Sequence, residues 1–278
     1  MKILISADAE GISGVHKLSQ VLPTSKDYGM MCKLMAQDVN AAVCGAAAAG
    51  AEEVIVNDCH SHGDNIDITA LDSRATLLSG FHKPLWMAEG ADRGVDALML
   101  VGYHSRKGAK GIVSHTIYYN QIWEAAVNGI PFGEGDFVAH AAGYFDVPTV
   151  LLTGDDQVTA YAEEHMPGIH TVTVKEMVAA GAAYLYHPDK TKLAIEAAAR
   201  EAVSQCREIA PLKLSGPLTL EITFATATHA ALACNVEGFR IAEERDNKVI
   251  YQADDYLQLY MDFIHAINMA GTFNDLAE

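Results

Sequence analysis

Apolar residues along this chain fall into short unbroken runs, separated by segments with helical spacing. The apolar runs at 2–7, 53–58, 97–102 and 148–153 predict buried strands. Continuous apolar strands that alternate with helices are typical of a parallel sheet covered on both faces. The helices are predicted at 25–49, which ends at Gly50, at 134–144 and at 188–209, which begins with a proline.

The pattern changes after residue 210. Residues 211–217 begin and end with proline and are typical of a linker. Residues 218–224 then alternate between apolar and polar side chains, as in a half-buried strand. A short helix, a strand at 248–251 and a helix at 254–270 complete this part of the chain.

A second alternating segment, 119–126, precedes Asn128-Gly129, a pair that favours a hairpin turn. We therefore predict an α/β fold with a mostly parallel central sheet flanked by helices. A catalytic α/β domain is expected at 1–210, and a smaller C-terminal α+β subdomain at 211–278.

Composition narrows the class of protein and its partners. The chain has 278 residues, half of them hydrophobic, and a formal net charge of −17. Such a chain is long enough to bury a sizeable core. Its excess of acidic over basic residues argues against nucleic acid and anionic membranes as partners, because binding them requires basic residues. No apolar run approaches the roughly 18 residues that span a bilayer, so no membrane segment is predicted.

The five cysteines are scattered and form no Cys-x-x-Cys pair. This usage is typical of reduced thiols in the cytosol rather than of a disulfide framework. The chain also enters its first predicted strand directly, without the leader of a secretory signal. We therefore expect a cytoplasmic location.

Two carboxylates, Asp8 and Glu10, follow the first predicted strand. Side chains two residues apart in extended backbone point to the same side, so both can face one point above the sheet edge. Like charges held this close are unfavourable unless a cation or proton offsets them. The alternative is a solvated turn that leads into the next helix.

Histidines follow two further strands: His60 comes after Asn57-Asp58, and His104 comes after Gly102. Ligands of open α/β sheets bind beyond the carboxyl ends of the strands, so these side chains are expected at one edge. A mixed set of carboxylates and imidazoles suits zinc, manganese or cobalt. Carboxylates that bridge would allow two metals, roughly 3.5–4 Å apart.

The most specific pattern of the chain lies in order within about residues 1–160. It consists of the segments Ser6-Ala-Asp8-Ala-Glu10-Gly-Ile-Ser-Gly14, Asn57-Asp-Cys-His60-Ser, Gly102-Tyr-His104, Ser114-His115 and Gly133-Glu134. Together these segments resemble the D-aminopeptidase family of dinuclear zinc peptidases, of the type found in dipeptide-transport operons. A cysteine stands at position 59, where the family commonly has serine.

The resemblance implies a site with two zinc ions per subunit and His115 as the catalytic histidine. It also implies an aminopeptidase that hydrolyses N-terminal D-amino acids, such as D-alanine, from short peptides or amides by a metal-activated water. Members of the family form large rings, so a homo-oligomer is implied, with a decameric ring as one form. The implied metal ligands are Asp8, the expected bridge, together with Glu10, His60, His104 and Glu134.

Other functions are also compatible with these residues. A dinuclear metallohydrolase acting on another small amide or on a phosphoester is one, since Arg106, Lys107 and Lys110 could recruit phosphate. A non-catalytic small-molecule binding protein of the same fold is another.

Several residues near the motifs have more than one interpretation. A nucleophilic role for Cys59 competes with a small buried hydrophobe. Asp58 either orients a ligand histidine or caps the following loop. His62 is a ligand, a solvent-facing side chain or a substrate contact. Asp155 and Asp156 either line the same rim or form a turn that caps a helix.

Overall fold

A seven-stranded sheet forms the centre of the molecule. The computed structural model describes residues 1–275, and in it the strands lie in the order β3-β2-β1-β4-β7-β8-β9. All neighbours are parallel except the last pair, which is antiparallel. The strands of this sheet are β1 (Lys2–Ala7), β2 (Glu53–Asp58), β3 (Ala75–Leu78), β4 (Ala97–Val101), β7 (Thr149–Asp155), β8 (His170–Ala179) and β9 (Ala182–Leu185).

Helices cover both faces of this sheet, as the unbroken apolar strands predict. Ile3 and Ile5 of β1 share one buried cluster with residues of α1 and α4, whereas Leu4 belongs to the cluster that contains residues of α2 and α6. The strand is therefore buried on both sides. The helices are α1 (Tyr28–Ala48), α2 (Glu134–Tyr144), α3 (Asp156–His165), α4 (Pro188–Ser204), α5 (Ala227–Ala233) and α6 (Tyr256–Asp275).

A second sheet has five antiparallel strands in the order β11-β12-β10-β5-β6. Asn128 and Gly129 turn β5 into β6 with positive φ angles of 51° and 78°, as the predicted hairpin requires. The strands are β5 (Ile122–Val127), β6 (Ile130–Pro131), β10 (Leu218–Phe224), β11 (Arg240–Ala242) and β12 (Arg245–Ala253).

The predicted fold class is confirmed: a mostly parallel sheet with helices on both faces, accompanied by a smaller antiparallel unit. The antiparallel sheet combines β10, β11 and β12 with β5 and β6 from the first half of the chain. The division at residue 210 stays a prediction. Within residues 1–275, no helix has the length and apolarity needed to cross a membrane.

Four strands were not predicted, namely β3, β8, β9 and β11, and the helix α3 was predicted only as one alternative for Asp155 and Asp156. Both β3 and β9 are edge strands of four residues whose side chains are partly or fully exposed. A run of four residues is at the short end of strand lengths and leaves little pattern to detect. The pattern of hydrophobic residues therefore indicated the centre of the sheet better than its edges.

Candidate metal centre

The strand order brings the predicted site residues to one edge of the sheet. β1 lies between β2 and β4, so Asp8 and Glu10 are flanked by His60 on one side and His104 on the other. The chain runs from β1 to β2 in one direction and later returns to place β4 on the opposite side of β1. Such a reversal of strand order opens a crevice at the carboxyl ends, where α/β proteins bind ligands.

Close backbone contacts hold these strand ends together. The amide of Gly11 donates to the Gly102 carbonyl at 2.7 Å, and the amide of Asp8 donates to the Val101 carbonyl at 2.8 Å. A Cβ atom on Gly11 would lie only 2.0 Å from the Tyr103 carbonyl oxygen. Glycine at position 11 therefore allows the loop that carries Glu10 to pack against the end of β4.

Asp8 lies at the centre of the cluster and reaches two histidines with different oxygens. His60 Nδ1 lies 3.4 Å from Asp8 Oδ1 and 3.2 Å from Glu10 Oε2. His104 Nε2 lies 3.4 Å from Asp8 Oδ2 and 3.3 Å from Glu134 Oε1. All five side chains are buried. Three carboxylates and two imidazoles are thus in mutual contact away from bulk water.

Each histidine of the cluster is held by a backbone carbonyl on its far nitrogen. The ring N–H donates from His60 Nε2 to the Val21 carbonyl at 2.8 Å, and from His104 Nδ1 to the Ser105 carbonyl at 3.0 Å. These bonds favour the tautomers whose lone pairs face the carboxylates. Orientation of this kind is typical of metal-ligating histidines.

His115 has the same arrangement. Its Nδ1 faces the Val113 carbonyl at 2.9 Å, and its Nε2 lies 3.8 Å from Glu134 Oε1. Its ring is stacked on that of His104, with the centroids 4.2 Å apart and the planes 4° from parallel. The geometry therefore permits His115 to act either beside a metal or as a ligand.

Burial and charge strongly perturb the acid–base behaviour of the cluster. Burial, followed by repulsion from Glu10, raises the pKa of Asp8 to about 7. Burial alone would lower the pKa of His104, but attraction to Glu134 and Asp8 raises it to about 10. Burial likewise opposes the charge on His60, yet Glu10 and Asp8 raise its pKa well above the usual value. The cluster therefore favours a positive charge between its carboxylates.

The donor set fits a metal ion. Among the described residues, Asp8 Oδ2, Glu10 Oε2 and His104 Nε2 are buried atoms without a hydrogen-bond partner. Buried polar atoms are normally paired, so three such atoms that face one another fit a bound cation. Ligand atoms of Asp8, Glu10 and His104 lie within 4.8 Å of one another, and so do those of His104, His115 and Glu134. Carboxylate and imidazole donors suit zinc.

Glu134 was found from the family resemblance and not from the spacing of residues. It is the first residue of α2, where an acidic side chain usually only complements the helix dipole. In the structure its Oε1 also accepts from the Ile117 amide at 2.6 Å, which turns the carboxylate towards His104 and His115. No strand end marks this position, so the pattern alone could not have identified it.

Cys59 is buried beneath the site and is unsuited to be a nucleophile. Its thiol donates to the Asn57 carbonyl at 3.3 Å and lies 3.1 Å from the Ser6 hydroxyl. Burial raises the pKa of this thiol to about 12, and only the thiolate is a good nucleophile. The interpretation as a small buried residue is the one that the structure supports.

Hydrogen bonds and exposure bear on the other open interpretations. Asp58 accepts from the amides of Asn65 and Ile66, so it caps the loop after β2. Asp155 is the N-cap of α3. His62 is exposed and lines the cleft described next.

A cleft of about 580 Å³ opens above the cluster. Asp8, Glu10, His115 and Glu134 lie among its lining residues. Many of the other side chains that line it are apolar or aromatic: Leu18, Val21, Leu22, Phe81, Trp86, Met87, Ile117 and Tyr119. The cluster is therefore accessible to a small organic molecule.

A buried lysine that sequence reasoning missed supports the loop carrying Glu10. Lys175, on β8, is 0% exposed. Its Nζ donates to the carbonyls of Glu10, Ile12 and Val15 at 2.5, 3.0 and 2.6 Å. A lone lysine in a strand is usually a solvent-facing residue, so nothing in the sequence marked this one.

We expect Lys175→Met to destabilise the protein and to weaken zinc binding. It removes the lysine donor from three buried carbonyls, of which that of Ile12 still accepts from the Val15 amide at 3.2 Å. An unsatisfied buried group costs about 1–3 kcal/mol. Urea unfolding and zinc titration against a competing chelator measure the two effects. Lys192→Met, at an exposed position of α4, is the control. Unchanged zinc affinity in Lys175→Met would show that the loop holds Glu10 without this lysine.

Asp38 of α1 holds the same loop, since its Oδ2 accepts from the Ser13 amide at 2.8 Å. Burial raises the pKa of Asp38 from 3.8 to about 6. Between these values the folded state binds one proton more than the unfolded state, so this group makes stability fall as pH rises from about 4 to about 6.

Asp38→Asn removes this titration, while its amide oxygen can still accept from Ser13. The free energy of unfolding of the variant relative to wild type should therefore rise by up to about 3 kcal/mol between pH 4 and pH 7. Urea unfolding of both proteins without zinc, at several pH values, measures the difference. A difference that is independent of pH would contradict the assigned pKa.

The chain is similar to known proteins over nearly its whole length. The model of the D-aminopeptidase family matches residues 1–264. A D-aminopeptidase of Bacillus subtilis (strain 168) is 32% identical over 260 residues, which cover 94% of each chain. The solved structure of the Zn-dependent D-aminopeptidase DppA from Bacillus subtilis, described as a self-compartmentalizing protease, superposes with a TM-score of 0.93 at 31% identity. The match covers 97% of this chain and 98% of that one. This chain belongs to the D-aminopeptidase family.

Proposed function

We propose that this protein is a zinc-dependent aminopeptidase that removes N-terminal D-amino acids from short peptides or amides. One observation carries the proposal: buried carboxylates and imidazoles converge with unpaired ligand atoms on the wall of a cleft. The name of the Bacillus subtilis relative supports both the reaction and the preference for D-residues.

Two zinc ions per subunit are proposed, with Asp8 shared between them. Asp8 Oδ1 lies beside His60, and Asp8 Oδ2 lies beside His104. Glu10 and His60 would thus hold one ion, and His104 and Glu134 the other. When bound, zinc lowers the pKa of water towards 7 and polarises the carbonyl that is attacked.

His115 is proposed as the catalytic histidine. Burial lowers the pKa of His115, which favours the neutral ring near pH 7. With Nδ1–H donating to Val113, Nε2 is free to accept a proton from the attacking water. The same nitrogen can return that proton to the leaving amine.

The cleft walls are consistent with short peptides that have small or apolar side chains. We also propose a homo-oligomer, since the structurally similar DppA is described as self-compartmentalizing, and a decameric ring is the form to test. Analytical ultracentrifugation distinguishes a ring from a dimer or monomer. We also propose a cytoplasmic location for this protein.

The direct test is hydrolysis of D-alanine amide and L-alanine amide by the purified protein. Each is measured as isolated, after chelation and after zinc is restored. We expect D-alanine amide to be the better substrate, activity to be lost on chelation, and zinc to restore it. Equal activity of the chelated protein would contradict the metal mechanism, and a preference for the L-amide would contradict the substrate assignment.

The structure gives little support for a phosphoester as the substrate. Lys107 Nζ lies over the rings of Tyr119 and Trp123, and Arg106 and Lys110 line a different cavity from the cleft. The cleft above the cluster therefore lacks these three basic residues. Hydrolysis of p-nitrophenyl phosphate at a rate comparable to that of D-alanine amide would reverse this conclusion.

A further inference from the structure

A second cavity, of about 300 Å³, lies between the loop after β4, the start of α2 and the helix α3. Of the five proposed metal ligands, only His104 lines it. Its apolar wall is formed by Ala109, Leu152, Val158 and Met166. A cavity of this size is at the lower end of the range for small-molecule sites.

Two basic residues of the loop, Arg106 and Lys110, line this cavity. Among the described residues neither has a carboxylate partner within ion-pair distance; Arg106 donates from Nη1 to the Lys107 carbonyl at 3.1 Å. The chain has 36 acidic residues and only 19 basic ones. Two basic residues at one cavity therefore give its wall a positive side in an otherwise acidic protein.

The one carboxylate of the wall, Asp136, is already engaged by the protein. Its Oδ2 accepts from the Gly133 amide at 2.7 Å, and its Oδ1 accepts from the Tyr161 hydroxyl at 3.1 Å. Asp136 is buried and caps the start of α2. It therefore forms no ion pair with Arg106, and the cavity wall keeps the charge of this basic residue.

We infer that this cavity binds a small organic carboxylate with a short apolar chain. The guanidinium of Arg106 matches the two oxygens of a carboxylate, while the apolar wall accommodates an aliphatic chain and disfavours a fully hydrated ion such as inorganic phosphate. This inference goes beyond the proposed function and does not depend on it.

The test is calorimetric titration of the zinc-loaded protein with valerate, pentanamide and n-pentylamine, which share one chain length. We expect valerate to bind and the neutral and cationic analogues not to bind. Arg106→Gln should weaken valerate binding roughly tenfold or more, the usual effect of losing a hydrogen bond to a charged group. Ala109→Leu should also weaken it, by filling the cavity.

Lys107→Gln is the matched control, because this neighbouring lysine lies over Tyr119 and Trp123 and does not line the cavity. It should leave valerate affinity unchanged. Valerate binding that survives both Arg106→Gln and Ala109→Leu but disappears on chelation would place the ligand on zinc and overturn the inference. Tighter binding of phosphate than of valerate would overturn the assigned class.

The two proposals fail in different ways. Arg106-dependent valerate binding in a protein that hydrolyses no aminoacyl amide would support the cavity and contradict the proposed function. Zinc-dependent hydrolysis of D-alanine amide without valerate binding would support the proposed function and contradict the cavity as a carboxylate site.

Discussion

Asp8→Asn is expected to remove most of the zinc from the protein and nearly all of its activity. Among the described residues, Asp8 is the only side chain whose two oxygens lie beside different histidines, His60 and His104, so its loss affects both proposed ions. Changes to groups that merely orient a metal ligand cost roughly 10–100-fold, and a shared ligand should therefore cost more than about 100-fold in kcat/KM. Zinc content by mass spectrometry and hydrolysis of D-alanine amide measure the two effects.

Glu10→Gln provides the comparison. Glu10 contacts His60, so this substitution should weaken the binding of one zinc ion first. We expect Glu10→Gln to retain about one zinc per subunit and Asp8→Asn to retain less. Asp67→Asn, a change at an exposed carboxylate after β2, should leave zinc content and activity as in the wild type. If Asp8→Asn kept both ions, Asp8 would not bridge them.

His115→Ala is expected to lower kcat by about 10²–10⁴-fold, the usual contribution of a general acid–base residue, while zinc content stays near normal. The expectation follows from its position: His115 lies 3.8 Å from Glu134 Oε1, farther than His104 does, and lines the cleft. The measurements are kcat and KM for D-alanine amide together with zinc per subunit.

The structure makes this experiment decisive, because the ring of His115 also lies within the group formed by His104 and Glu134. Loss of zinc along with activity would make His115 a ligand rather than a proton carrier. His165→Ala, at an exposed position in the last turn of α3, controls for the loss of a histidine as such. It should change neither quantity.

Much of the fold could be predicted because its central strands are buried on both faces. Ile3, Leu4 and Ile5 form a continuous apolar run since both sides of β1 pack against helices. The same argument located β2, β4 and β7. It did not locate β3 or β9, which are edge strands of only four residues.

Part of the site could be predicted for a related reason. Asp8, Glu10, His60 and His104 each follow an apolar run, so a reader of the sequence can place them at strand ends. Glu134 and His115 lie outside that pattern, in a helix start and a loop. They were found from the family resemblance, because local periodicity records burial and not the direction of a side chain.

The sequence by itself determined the types of side chain at the strand ends, the fold class and the family. Tertiary structure alone decided which strand ends are neighbours: the order β2-β1-β4 places Asp8 between two histidines. It also decided that Lys175 donates to the backbone of the loop that carries Glu10, and that Arg106 lines a cavity separate from the cleft. These facts depend on contacts between residues far apart in the chain, and pairing at such separations leaves no trace in local hydrophobic spacing.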